Sequence, residues 1–173
     1  MKIYKEPVYD LTELARYNLH VHTTFSSCAK PEMTVENIVR TAEEAGLEMI
    51  ALTDHYNTFN WDETYLAQIA ELKRQYAALD TKLKVLFSSE LSCYGVDKFV
   101  EKEETAKALD YALVSCNHFH LDYWDKPEDT SPRGYAVFAM ELVKSAMKSR
   151  RYDCIAHPLY GRFVKHLEDK GEM

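Results

Sequence analysis

The chain contains seven histidines, and where they fall is its first feature with chemical content. His20 and His22 are one residue apart in Asn18-Leu19-His20-Val21-His22-Thr23. Side chains at i and i+2 of a strand leave the same face, so two imidazoles at this spacing can point together at one metal ion. His55 closes Thr53-Asp54-His55, His118 and His120 alternate in Asn117-His118-Phe119-His120, and His157 precedes Pro158. All six lie at or just past the end of a predicted strand; His166 does not. One apolar run, Val85-Leu86-Phe87, leads instead into Ser88-Ser89-Glu90. Imidazole together with carboxylate favours zinc, manganese or iron, because calcium and magnesium prefer oxygen throughout. Glu90 has two oxygens and is the natural bridge between two such ions.

These groups need strands to hold them. Residues 17–21 read as a strand, closed by a loop over 23–31 whose small polar residues and Pro31 suit irregular backbone. Thr34 is placed to cap a helix. Behind it Val35, Ile38, Val39, Ala42 and Ala45 fall at helical spacing, and Gly46 sits where a C-terminal glycine belongs. A buried strand over 49–52 runs into Thr53-Asp54-His55, and Leu66, Ile69, Leu72, Tyr76 and Leu79 mark the next helix. Residues 85–87 give a third strand, and Glu101-Lys102-Glu103-Glu104 predicts a short solvated helix. A fourth strand covers 111–116. Ser131-Pro132 then caps a helix with Tyr135, Phe138, Ala139, Leu142, Val143, Ala146 and Met147 on its apolar face. The fifth strand covers 152–156, whereas residues 1–16 show only a short turn near Leu11-Thr12-Glu13-Leu14.

Strands alternating with helices imply an α/β fold with a parallel sheet and right-handed crossovers. A closed eight-unit barrel takes about 250 residues. This chain of 173 residues offers five units, so it reads as an open or incomplete barrel forming one domain over 1–173, with the chemistry in 17–160 and a tail over 161–173. In parallel α/β folds the loops at the carboxyl ends of the strands share one crevice, and that is where these histidines lie.

A net charge of −7 argues against a general nucleic-acid surface and points to a small-molecule partner. No signal peptide or membrane-spanning run is evident, and the expectation is a soluble, cytoplasmic protein. Cys28, Cys93, Cys116 and Cys154 show no CxxC pairing, which favours reduced thiols, with Cys116 and Cys154 in the core. Lys148-Ser149-Arg150-Arg151 reads as helix-end surface charge.

In order and rough spacing, His20-Val21-His22-Thr23, Thr53-Asp54-His55, Glu90, Asn117-His118-Phe119 and Ala156-His157-Pro158 resemble the PHP (polymerase and histidinol phosphatase) domain family. The resemblance implies a distorted, TIM-like β/α barrel and a site of two or three divalent ions, zinc, manganese or iron. It also implies hydrolysis of a phosphate ester of a small metabolite or short nucleotide, by water deprotonated between two metals. His20 and His22 would bind one ion, Glu90 would bridge to a second held by His118 and His157, and His55 would belong to a third, with Cys28 at a further ligand position. Asp54 would orient a metal-bound histidine or accept a proton. His120, two residues past His118, would act as general acid or support a neighbouring metal-bound group, and Arg162 would bind phosphate ahead of Arg133 and Lys126. The family closes its site with a DxH pair on the last strand, and no such pair occurs before Met173. The chain then reads as a fragment or a shortened relative, and the alternative to an enzyme is a truncated, metal-binding, non-catalytic module. An amidohydrolase site would need a lysine at a strand end, and none lies at the ends of the third to fifth strands.

Overall fold

A computed structural model of the protein describes residues 10–164. In chain order its elements are α1 (Leu11–Leu14), β1 (Tyr17–Val21), α2 (Val35–Glu44), β2 (Met49–His55), α3 (Asp62–Ala77), β3 (Lys84–Gly95), β4 (Lys98–Phe99), α4 (Glu103–Lys107), β5 (Tyr111–Ser115), α5 (Pro132–Ser149) and β6 (Cys154–Ile155), then a 3-10 turn at Gly161–Phe163. The capping chemistry expected from the sequence sets the helix ends. Thr34 Oγ1 accepts from the Asn37 N–H at 3.3 Å, and Ser131 Oγ from the Gly134 N–H at 3.1 Å, with Pro132 in the first turn. At the end of α2, Gly46 takes φ +73°, which lets its own N–H reach the Glu43 carbonyl and that of Leu47 reach Ala42.

The strands pair in the order β1-β2-β3-β5-β6, all parallel, and β4 adds antiparallel to the far end of β3. Sequential order means that every crossover steps the same way. Right-handed connections then put the helices on one face, and the sheet curls into part of a barrel with its other face inward. The core confirms the division. Ile50 and Leu52 of β2, Val85 and Phe87 of β3, and Ala112 and Val114 of β5 join Val39, Leu72 and Leu142 of α2, α3 and α5 in one apolar cluster. Their alternates in β2 and β3, Thr53, His55, Ser88 and Glu90, therefore face the other way. The fold is thus an incomplete, TIM-like α/β barrel, as the alternating pattern and the family resemblance together imply.

Three local expectations change. The third strand does not stop at 87 but runs to Gly95, because Thr53 to His55 pair with Ser88 to Glu90 on one side and Tyr111 to Ser115 with Ser88 to Ser92 on the other. Cys116 is buried as expected, yet Cys154 is exposed, since β6 is short and lies at the sheet's edge. The charged segment after β4 is not all solvated: α4 begins at Glu103, and Glu101 before it is only 4% exposed. No helix among the described residues is long and apolar enough to cross a membrane.

Glu101 Oε1 accepts from the Tyr152 hydroxyl at 2.6 Å and stands 4.0 Å from Arg151, while its buried Oε2 makes no hydrogen bond. Burial pushes this carboxyl up to about 7 against the opposing pull of Tyr152 and Arg151. Between its ordinary value of 4.5 and about 7, the folded chain keeps a proton that the unfolded chain has lost. The stability it contributes is full below that window and falls as pH rises through it, by up to about 3 kcal/mol. Denaturation at pH 5 and pH 8 should show Glu101→Gln gaining on the wild type at the higher pH; an equal difference at both would show that burial does not perturb Glu101.

Candidate metal centre

The face on which His20 and His22 emerge is decided by one irregularity. Asn18 pairs with Ile50 and Val21 with Leu52, so β1 spends three steps where β2 spends two. In an unbroken ladder His20 would lie beside Leu52 and share its helix-facing side. The extra residue gives that side to Val21, which packs against the core, and turns His20 and His22 to the inner face.

At the centre of the inner face is Glu90, 1% exposed, on the middle strand of the five parallel ones. Its two oxygens look opposite ways. Oε2 lies 3.3 Å from His20 Nε2, 3.4 Å from His22 Nε2 and 2.9 Å from His55 Nδ1, groups carried by β1, the turn after it and β2. Oε1 lies 3.4 Å from His118 Nε2 and 3.1 Å from His157 Nε2, which follow β5 and β6. Strand order alone accounts for the partition, because each oxygen meets the imidazoles from its own side of β3.

The donor set suits metal. Ligand atoms about 2.1 Å from a shared ion stand about 3.0–3.4 Å apart at octahedral or tetrahedral angles, and the spacings around Glu90 fall close to that range. His20 Nε2 and His22 Nε2 are 3.0 Å apart. Glu90 Oε1, although buried beside two imidazoles, makes no hydrogen bond. Among the described residues, three groupings have ligand atoms mutually within 4.8 Å: His20, His22 and Glu90; His55, Glu90 and His118; and His22, Cys28 and His55.

Charge follows from the same packing. Burial by itself would push the Glu90 carboxyl up, but His118, His157, His20 and His55 outweigh it and hold the carboxyl far below the usual carboxylate range. Burial, with His55 beside it, pulls His22 down to about 4 against the pull of Glu90. His118 is likewise lowered by burial, whereas His157, with Glu90 outweighing burial, is raised. A neutral imidazole is the form that binds a metal.

Around this centre the remaining candidates take separate places. Asp54 accepts from the Thr23 N–H at 2.7 Å, the Thr23 hydroxyl at 2.6 Å and the Ser26 hydroxyl at 2.6 Å, so it pins the loop after β1. Cys28, on that loop, is exposed; burial of its sulfur, with the carboxylates Glu90 and Asp54 nearby, pushes its thiol up. The His120 ring centroid lies 5.4 Å from that of His118 and 4.9 Å from that of Phe163. Arg162 lies in the Gly161–Phe163 turn, with its side chain outside the described part, and His166 lies outside the described residues. Lys126 Nζ donates to the carbonyls of Leu121 and Trp124, and it lines a hollow with Arg133, Glu128 and Asp129 that none of the histidines borders.

Sequence reasoning passed over two residues. Ser26 Oγ, besides bonding Asp54, sits 3.2 Å from His22 Nδ1. Asn117, fully buried, donates from its amide to the His157 carbonyl at 2.8 Å, across a residue held at φ +24°. A non-glycine backbone there is strained by about 1–3 kcal/mol, and such strain gathers at functional positions. Asn117 stands directly before His118 at a strand end, which was the available signal; for Ser26, four residues past His22 in a polar loop, there was none.

Comparison with known proteins agrees with the geometry. Over 130 residues the chain is 27% identical to a probable histidinol-phosphatase of Thermotoga maritima, an alignment covering 73% of this chain and 50% of that protein. The chain thus spans about half the length of the curated relative it matches. The family model for the PHP domain matches residues 18–169, a span that takes in Glu90 and every histidine around it. This chain belongs to the PHP domain family.

Proposed function

We propose that the chain is a metal-dependent phosphoesterase acting on the phosphate ester of a small metabolite or short nucleotide. The observation that carries this reading is the Glu90 carboxylate, one oxygen toward His20, His22 and His55 and the other toward His118 and His157. In this proposal His20, His22 and Glu90 hold one ion, Glu90, His118 and His157 a second, and His55 with Cys28 a third. Zinc, manganese and iron are the candidates, on the chemistry of the donors. When bound, such ions activate water and offset the charge of the phosphate.

The chain's own residues supply the rest. Arg162 binds a phosphate oxygen, His120 gives a proton to the departing alkoxide, and Asp54 fixes the loop that carries Cys28 and follows His22. Membership of the family and the printed name of the Thermotoga relative both support phosphate ester chemistry, and they make histidinol phosphate the first natural substrate to try. A cytoplasmic setting belongs to the same proposal, because it keeps four unpaired thiols reduced.

Elemental analysis after gel filtration should find zinc, manganese or iron bound to the wild type. Glu90→Gln should release metal from both sides, a larger loss than the roughly 10–100-fold drop in affinity usual for groups one layer out. Unchanged metal content in that variant would remove the central role of Glu90.

Hydrolysis of histidinol phosphate and of an aryl phosphate, with each metal restored, tests turnover. His120→Ala should slow the alkyl ester by about 100-fold and largely spare the aryl ester, whose leaving group needs no proton. Tight metal binding with no turnover of any phosphate ester would leave a non-catalytic metal-binding module in place of the enzyme.

A further inference from the structure

We infer that Ser26 selects the tautomer of His22, so that the ring presents an unprotonated Nε2 before any metal arrives. Ser26 is buried, and its hydroxyl has one hydrogen to give and two lone pairs to receive. The hydrogen goes to Asp54 Oδ1 at 2.6 Å, since an ionised carboxylate only accepts. One lone pair takes the backbone N–H of His55 at 3.0 Å. What remains on Oγ is a single acceptor position, and His22 Nδ1 lies 3.2 Å from it. Nδ1 must therefore bring the hydrogen, which leaves the lone pair on Nε2. That is the atom 3.4 Å from Glu90 Oε2 and 3.0 Å from His20 Nε2.

Histidine in water favours the other tautomer, with its hydrogen on Nε2, so the Asp54–Ser26 pair works against the ring's own preference. The same oxygen holds the backbone of His55, so one hydroxyl places the ring of one proposed ligand and the main chain of another. Ser26 is a positioning residue. The consequence for metal affinity rests on the function proposed above, but the tautomer does not, because it can be read on protein stripped of metal.

Long-range proton–nitrogen NMR of the ring nitrogens in chelator-treated protein decides the matter. The wild type should show His22 protonated on Nδ1. In Ser26→Ala the hydrogen should move to Nε2, and zinc affinity of the pocket formed by His20, His22 and Glu90 should fall by about 10–100-fold. Ser26→Thr keeps the hydroxyl and should restore both readouts, which a mere packing role for the serine would not require. Wild-type protein with its hydrogen on Nε2 would overturn the inference without recourse to any variant. So would a Ser26→Ala protein that keeps the Nδ1 hydrogen and wild-type zinc affinity. If the tautomer is as stated and the intact chain binds no metal, the inference stands and the proposed function falls.

Discussion

A carboxylate stripped of water inside a protein is tolerated only where partners compensate it. Glu90 is such a group, and the architecture around it can be read as the means of supplying those partners from both sides. It lies on the middle of five parallel strands, with two strands on either flank. A singly wound sheet is what makes the arrangement possible. Had the order reversed at a switch point, the loops after β1 and β6 would not flank β3 in this symmetric way, and one oxygen would have been left without imidazoles.

The helices and the centre divide the sheet between them. In the first part of β2 and β3 the residues facing the helices are the large apolar Ile50, Leu52, Val85 and Phe87, while those facing inward toward the strand ends are Thr53, His55, Ser88 and Glu90. Burial on the helix side fixes the registers, and the registers then set the distances on the other side. Loop anchors complete the work. Asp54 ties down the chain after β1, Asn117 holds the strained residue after β6, and the Tyr65 hydroxyl of α3 lies 3.0 Å from the carbonyls of both Asp54 and Ser88.

The five parallel strands and the three long helices were legible because apolar runs, caps and Gly46 each announce themselves locally. The ring of candidate ligands stood out for a related reason: a polar residue at the end of a buried strand is conspicuous. What stayed hidden depends on partners distant in the chain. The polar run Ser88 to Ser92 looks like a loop until β2 and β5 are paired to it. Glu101 looks like one of several surface charges until Tyr152 arrives from the far end of the chain. The role of Ser26 requires Asp54, which sits 28 residues away. Spacing alone could say that His20 and His22 share a face, but not which face.

The one-residue insertion in β1 makes the strand less regular, and regularity is what stabilises a sheet. An idealised version of this strand, with its ladder unbroken, would pair better with β2 and turn both histidines into the apolar layer beneath the helices. Here orderly pairing and a shared inner face for two imidazoles are opposed, and a single surplus residue resolves the conflict in favour of the imidazoles.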